Sequence, residues 1–112
     1  MNTDQLRDRL AELTGWIPVG GGGWKNPRTS NIGEHPFRDG NLNSLAAEWK
    51  SEPLKDWYWG KCWGEMVAQK KGTYEQVTLP ETGDFYADFL ALTVAVLEHE
   101  RGNTQEQPNE LR

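Results

Sequence analysis

The chain reads as an α+β protein, a mainly antiparallel sheet with three helices packed on it. Apolar residues recur at helical spacing in three separate stretches. Aromatic residues alternate along residues 57–63, and glycine-bearing turns separate neighbouring extended pieces as hairpins do. The order helix, short hairpin, loop, helix, hairpin, helix packs most simply as helices laid on an antiparallel sheet. With 112 residues, one domain over residues 1–102 is expected, followed by a disordered tail over 103–112 with a single large aliphatic residue.

The first helix begins at Asn2 or Thr3, whose side-chain oxygen can accept from a first-turn amide, and carries Leu6, Leu10 and Leu13 until Gly15 stops it. Residues 16–19 and 24–25 form two short extended pieces joined by the glycine run 20–23, a hairpin with a flexible tip. Residues 26–40 are rich in turn formers, with Ile32 and Phe37 as apolar anchors, and read as an ordered irregular loop of the kind that often carries function. A second helix, capped by Asn41 or Asn43, places Leu42, Leu45, Ala46 and Trp49 in one stripe and ends before Pro53.

Residues 57–63 then alternate, with Trp57, Trp59, Lys61 and Trp63 on one side and Tyr58, Gly60 and Cys62 on the other. Rings on both sides predict a central strand, covered on both faces. Gly64 is read as a bend, after which residues 65–69 continue the strand, and Lys70, Lys71 and Gly72 turn it into a partner over 73–79. Burying one Trp removes about 150–250 Å² from water, an upper bound of about 4–6 kcal/mol, so Trp59→Ala is expected to cost several kcal/mol. Asp84 caps a third helix with Phe85, Phe89, Leu92 and Val96 in one row and Tyr86, Leu90, Val94 and Leu97 in the next.

Composition narrows the function. Seventeen acidic against 12 basic residues give a formal net charge of -5, the reverse of a general duplex-DNA binder. The longest apolar stretch is about half of the roughly 20 residues that span a bilayer, and no charged-then-apolar leader opens the chain, so neither membrane insertion nor signal-peptide export is expected. One cysteine, Cys62, forbids an intrachain disulfide, fits a reducing cytosol, and reads as a small buried residue rather than a nucleophile. His35, His99 and Cys62 lie too far apart in sequence for a zinc motif. No catalytic set, cofactor or metal is expected.

What remains is a binding reading. Successive glycine amides at 20–23, with Lys25 and Arg28, can wrap a phosphate, although Trp24 and the Asn26-Pro27 pair break any P-loop pattern and a plain hairpin tip is the competing reading. Trp24 can serve as a surface anchor or pack within its loop, whereas Trp57, Trp59 and Trp63 read mainly as core. The expected ligand-binding set is Trp16, Trp24, Lys25, Arg28, Arg38 and Lys61. The surplus of aromatic area also makes a homo-oligomer an open expectation.

Four local patterns, Leu13-Thr14-Gly15-Trp16, Leu42-Asn43-Ser44-Leu45-Ala46-Ala47-Glu48-Trp49, the aromatic strand ending Trp63-Gly64, and the apolar helix over 85–97, together resemble the small phage and prophage proteins of the phage ABA sandwich family. They span most of residues 5–101. The resemblance implies a three-layer helix–sheet–helix sandwich, a phage origin and a mostly unassigned function, and it supplies no catalytic residues; residence in the cytoplasm of an infected bacterium is the matching expectation. The glycine run and the long 26–40 loop depart from the family pattern. Two function classes follow as expectations. One is a non-enzymatic accessory protein that sequesters a nucleotide-type host defence signal; the other is an acidic inhibitor of a host defence or nucleic-acid-processing protein. A nucleotide hydrolase is a third.

Overall fold

The computed structural model describes residues 2–110, with side chains described for residues 2–102. The expected tail over 103–112 lies outside those described side chains. The chain is α+β, with three helices and two three-stranded antiparallel sheets. Helix α1 (Thr3–Leu13) starts at Asn2, whose Oδ1 accepts from Gln5 N–H while Gln5 Oε1 accepts from Asn2 N–H, a reciprocal cap. The first sheet holds β1 (Ile17–Val19), β2 (Gly23–Lys25) and β3 (Ile32–Gly33). The expected hairpin is present. Its tip is a single 3-10 turn over Gly20–Gly22, with Gly21 and Gly22 at φ 76° and 80°, values that need glycine. The following loop, expected to be ordered but irregular, contributes β3, which pairs Trp24 with Gly33 and Lys25 with Ile32.

Helix α2 (Leu42–Glu48) is capped by Asn41, which accepts from the amides of Asn43 and Ser44. The second sheet runs β4 (Trp57–Cys62), β5 (Glu65–Lys70), β6 (Gln76–Pro80) in that order. Helix α3 (Phe85–Glu110) opens at Asp84, whose Oδ1 accepts from Ala87 N–H. Asp88 in its first turn is buried and accepts from the amide and hydroxyl of Thr82, which fixes the connector from β6.

Helix α3 organises the core. Phe89, Leu90, Leu92, Thr93, Val94, Val96 and Leu97 are all buried, so the helix is apolar nearly all round, as an element enclosed on several sides must be. It packs on β5 and β6, on α1 and on α2. Met66 and Ala68 meet it from β5, Leu10 and Ala11 come from α1, and Leu45 from α2. Trp49 stacks on Phe89 at 5.8 Å and donates from Nε1 to Thr93 Oγ1 at 3.0 Å.

The aromatic strand departs from expectation in three respects. β4 is an edge strand and β5 is central, because Trp63 and Gly64 both take positive φ (53° and 79°) and reverse the chain at once, with Cys62 opposite Glu65. That is the geometry of a two-residue type I′ hairpin turn, so Gly64 is no bend within one long strand. Only the face holding Trp57, Trp59 and Lys61 looks toward α3; Tyr58 and Cys62 on the other face are exposed, so Cys62 is not the small buried residue expected. Burial also fades along the strand: Trp57 is 3% exposed, Trp59 39% and Trp63 96%. Trp59 rests on Phe89 at 4.6 Å and Phe85 at 5.7 Å, a one-sided contact worth less than full burial.

Candidate functional site

A concavity of about 660 Å³ lies where the C-terminal end of α1, the base of the first hairpin, the end of α2 and the turn before β4 converge. Its floor includes Leu13, Leu54 and Leu97, and its walls carry Trp16, Arg28, Glu48 and Glu52. An adjoining hollow of about 440 Å³ shares Leu13, Gly15, Pro53 and Leu97 with it and extends the groove toward Glu100 and Arg101.

Local structure explains how these side chains come together. At the end of α1, Gly15 turns at φ 96° and Trp16 N–H donates to Ala11 C=O at 2.9 Å, which holds Trp16 at the helix end. Asn26 orders the loop that carries Arg28. Its Oδ1 accepts from the amides of Arg28 and Thr29, its N–H donates to Asn31 C=O at 2.8 Å, and its C=O accepts from Ser30 N–H at 2.9 Å. Glu48 ends α2 and faces this loop. Burial pushes its carboxyl above the usual glutamate range, and the Arg28 guanidinium pulls the other way. Among the described residues no hydrogen bond reaches the Glu48 carboxylate.

The groove therefore offers an indole at one wall, a cation and a partly desolvated carboxylate nearby, and an apolar floor. An aromatic ring can stack on Trp16, N–H donors can satisfy Glu48, and an anion can meet Arg28. No metal is implied by the donor set: among the described residues no three His, Cys, Asp or Glu side chains gather closely enough to hold one.

Of the six residues expected to bind ligand, the structure brings two together, Trp16 and Arg28. Trp24 is buried at 7% exposure, its ring 5.0 Å from His35, so it packs within its loop and presents no stacking platform. Lys25 ends β2, paired with Ile17 on one side and Ile32 on the other, and is absent from the groove. Arg38 is tied to Glu34 at 2.6 Å, and its C=O accepts from Tyr86 Oη. Lys61 belongs to the second sheet, its ammonium 5.1 Å from the Phe85 ring centre and 3.9 Å from Glu81. The glycine tip contributes nothing to the groove, and Gly20, Gly21 and Gly22 stand exposed. The concave site sits at the hairpin's base.

Two functional candidates escaped the sequence reading. Asn26 carried a signal in the Asn-Pro pair, a common turn initiator. Glu48 stands one helical turn beyond Leu45, on the flank of the apolar stripe, and spacing alone does not separate such a position from a solvated acid. Compared with known protein families, curated proteins and solved structures, the chain matches none of them.

Proposed function

We propose that this chain is a non-enzymatic binding protein whose groove takes a small ligand combining an aromatic base with a phosphate, of the nucleotide class. The observation that carries this reading is the meeting of Trp16, Arg28 and Glu48 around one cleft of about 660 Å³, a volume in the range of small-molecule sites. Trp16 would stack on the base, Glu48 would accept from its amino or imino hydrogens, and Arg28 would neutralise the phosphate. The surrounding acids Glu52 and Glu100 disfavour a highly charged polyanion and favour a ligand with few phosphates. The resemblance to phage ABA sandwich proteins supports a role as a phage accessory factor that sequesters a nucleotide-type defence signal in the host cytoplasm.

Isothermal titration against cyclic nucleotides and ADP-ribose derivatives tests the proposal. A member of the set should bind, Arg28→Ala and Trp16→Ala should each weaken it by about tenfold or more, and Lys25→Ala should leave it unchanged. Flat traces across the set, with protein well above micromolar, would overturn it. The same incubations followed by product analysis, with and without chelator, should show no turnover.

A second reading, an acidic inhibitor of a host defence or nucleic-acid-processing protein, draws support from the net charge of -5 and from Tyr74, which stands fully exposed in the turn between β5 and β6. Recovery of a stoichiometric protein partner from bacterial lysate, lost on Tyr74→Ala, would favour it.

A further inference from the structure

The outer edge of the second sheet is unusually bare. The β4–β5 hairpin closes directly through Trp63 and Gly64, so the Cys62–Glu65 pair exchanges backbone hydrogen bonds and the ladder alternates from there. Tyr58, Gly60 and Cys62 aim their N–H and C=O groups at β5; Trp57, Trp59 and Lys61 aim theirs outward. The same phase follows independently from Lys71 N–H, which donates to Asp56 C=O at 2.8 Å. Trp57 N–H is taken by Leu54 C=O in the preceding turn. Among the described residues, no hydrogen bond reaches the outward backbone groups of Trp59 and Lys61. Proteins usually guard such an edge with proline, a bulge, a projecting charge or a covering segment. β4 has no proline and pairs without a bulge, and its one charged side chain, Lys61, lies over the Phe85 ring.

We propose that a second copy of the chain completes this edge, β4 against β4 in antiparallel sense about a twofold axis through Gly60, fusing the two three-stranded sheets into one. Antiparallel edge pairing makes a strand its own complement, which favours a second copy over a different partner. The register follows from charge and hydrogen bonding. An axis at Lys61 would set two ammonium groups opposite each other, and an axis at Trp59 would set Lys61 against the partner's Trp57, whose N–H is already engaged. An axis at Gly60 pairs Lys61 with the partner's Trp59 on the helix-facing side, cation beside indole, and the two residues exchange both backbone bonds. Gly60 leaves the axis free of side chains. The exposed parts of Tyr58, Trp59 and Trp63, at about 150–250 Å² per whole ring, fall short of the roughly 800 Å² per partner typical of tight complexes, so the dimer should be of modest affinity.

Light scattering on the full chain across a dilution series should show a monomer–dimer equilibrium. Lys61→Pro deletes an outward N–H together with the ammonium over Phe85 and spares the backbone bonds to β5, so it should weaken the dimer at least tenfold with an unchanged far-ultraviolet circular dichroism spectrum. In a Cys62→Ser background, Gly60→Cys should cross-link on mild oxidation, since the axis pair is non-hydrogen-bonded with Cα atoms about 4.5 Å apart and a Cβ at Gly60 meets nothing within 4 Å. A chain that stays monomeric up to its solubility limit would overturn the proposal. So would a dimer that a folded Lys61→Pro leaves intact, or one in which the Gly60→Cys variant keeps its fold and its dimer and fails to cross-link.

Discussion

Trp57 and Trp63 stand at opposite ends of one strand and its turn, and their surroundings have almost nothing in common. Trp57 is enclosed by the end of α3: its ring meets His99 edge-on at 5.6 Å and its Nε1–H donates to Glu100 Oε1 at 3.0 Å, which Lys70 also approaches at 3.0 Å. Trp63 sits in a left-handed turn at φ 53° with its ring in solvent. The residue type is the same and the alternation places both on one side, so neither identity nor period decides burial here. What decides it is where α3 runs: the helix covers β5, β6 and the start of β4, then leaves the hairpin tip behind.

The contrast can be broken from its buried end. Trp57→Ala removes a filled core position and leaves Glu100 without its indole donor, so unfolding stability should fall by about 3–5 kcal/mol, read by denaturant titration. Trp59→Ala, a partly exposed ring on Phe85 and Phe89, should cost about 1–2 kcal/mol in the same assay, well below the figure for full burial. Trp63→Ala should change stability by less than about 0.5 kcal/mol. Trp63→Asn should stabilise by several tenths of a kcal/mol, since asparagine before Gly64 suits the positive φ of a type I′ turn and tryptophan does not.

The smallest expected effect belongs to the groove. Glu48 has a folded-state pKa raised mainly by burial, so protonation is easier in the folded than in the unfolded chain. Its favourable contribution is complete below the ordinary glutamate range and is lost as pH rises through the raised folded value. Glu48→Gln should therefore raise the melting temperature slightly at neutral pH and leave it unchanged near pH 4, checked by thermal scans at both. An equal shift at both values would assign the effect to packing and not to charge.

The sequence made much of this arrangement legible. Capping residues and apolar stripes located all three helices, because a helix is written in contacts three and four residues apart. The first hairpin was legible from its glycines. The hairpin turning after Lys70, Lys71 and Gly72 was legible as well, as β5 paired with β6, but the reversal at Trp63-Gly64 was read as a bend, since a bulky aromatic at positive φ is an uncommon choice and the usual Asn-Gly or Asp-Gly signal is missing. Edge or central position depends on which strands neighbour β4 in space, which its own residues do not encode. The site was half legible for the same reason. Trp16 and Arg28 flank the first hairpin and were found, but Glu48 joins them only through the packing of α2, and the glycine tip, conspicuous in sequence, faces open solvent.

Hydrogen exchange at the six indole N–H groups, followed by NMR in dilute solution, tests directly whether α3 covers one end of β4 and not the other. The indoles of Trp49 and Trp57, bonded to Thr93 and Glu100, should exchange slowest and that of Trp63 fastest. A Trp63 indole protected as well as Trp57, or a Trp57 indole exchanging as freely as Trp63, would contradict the account.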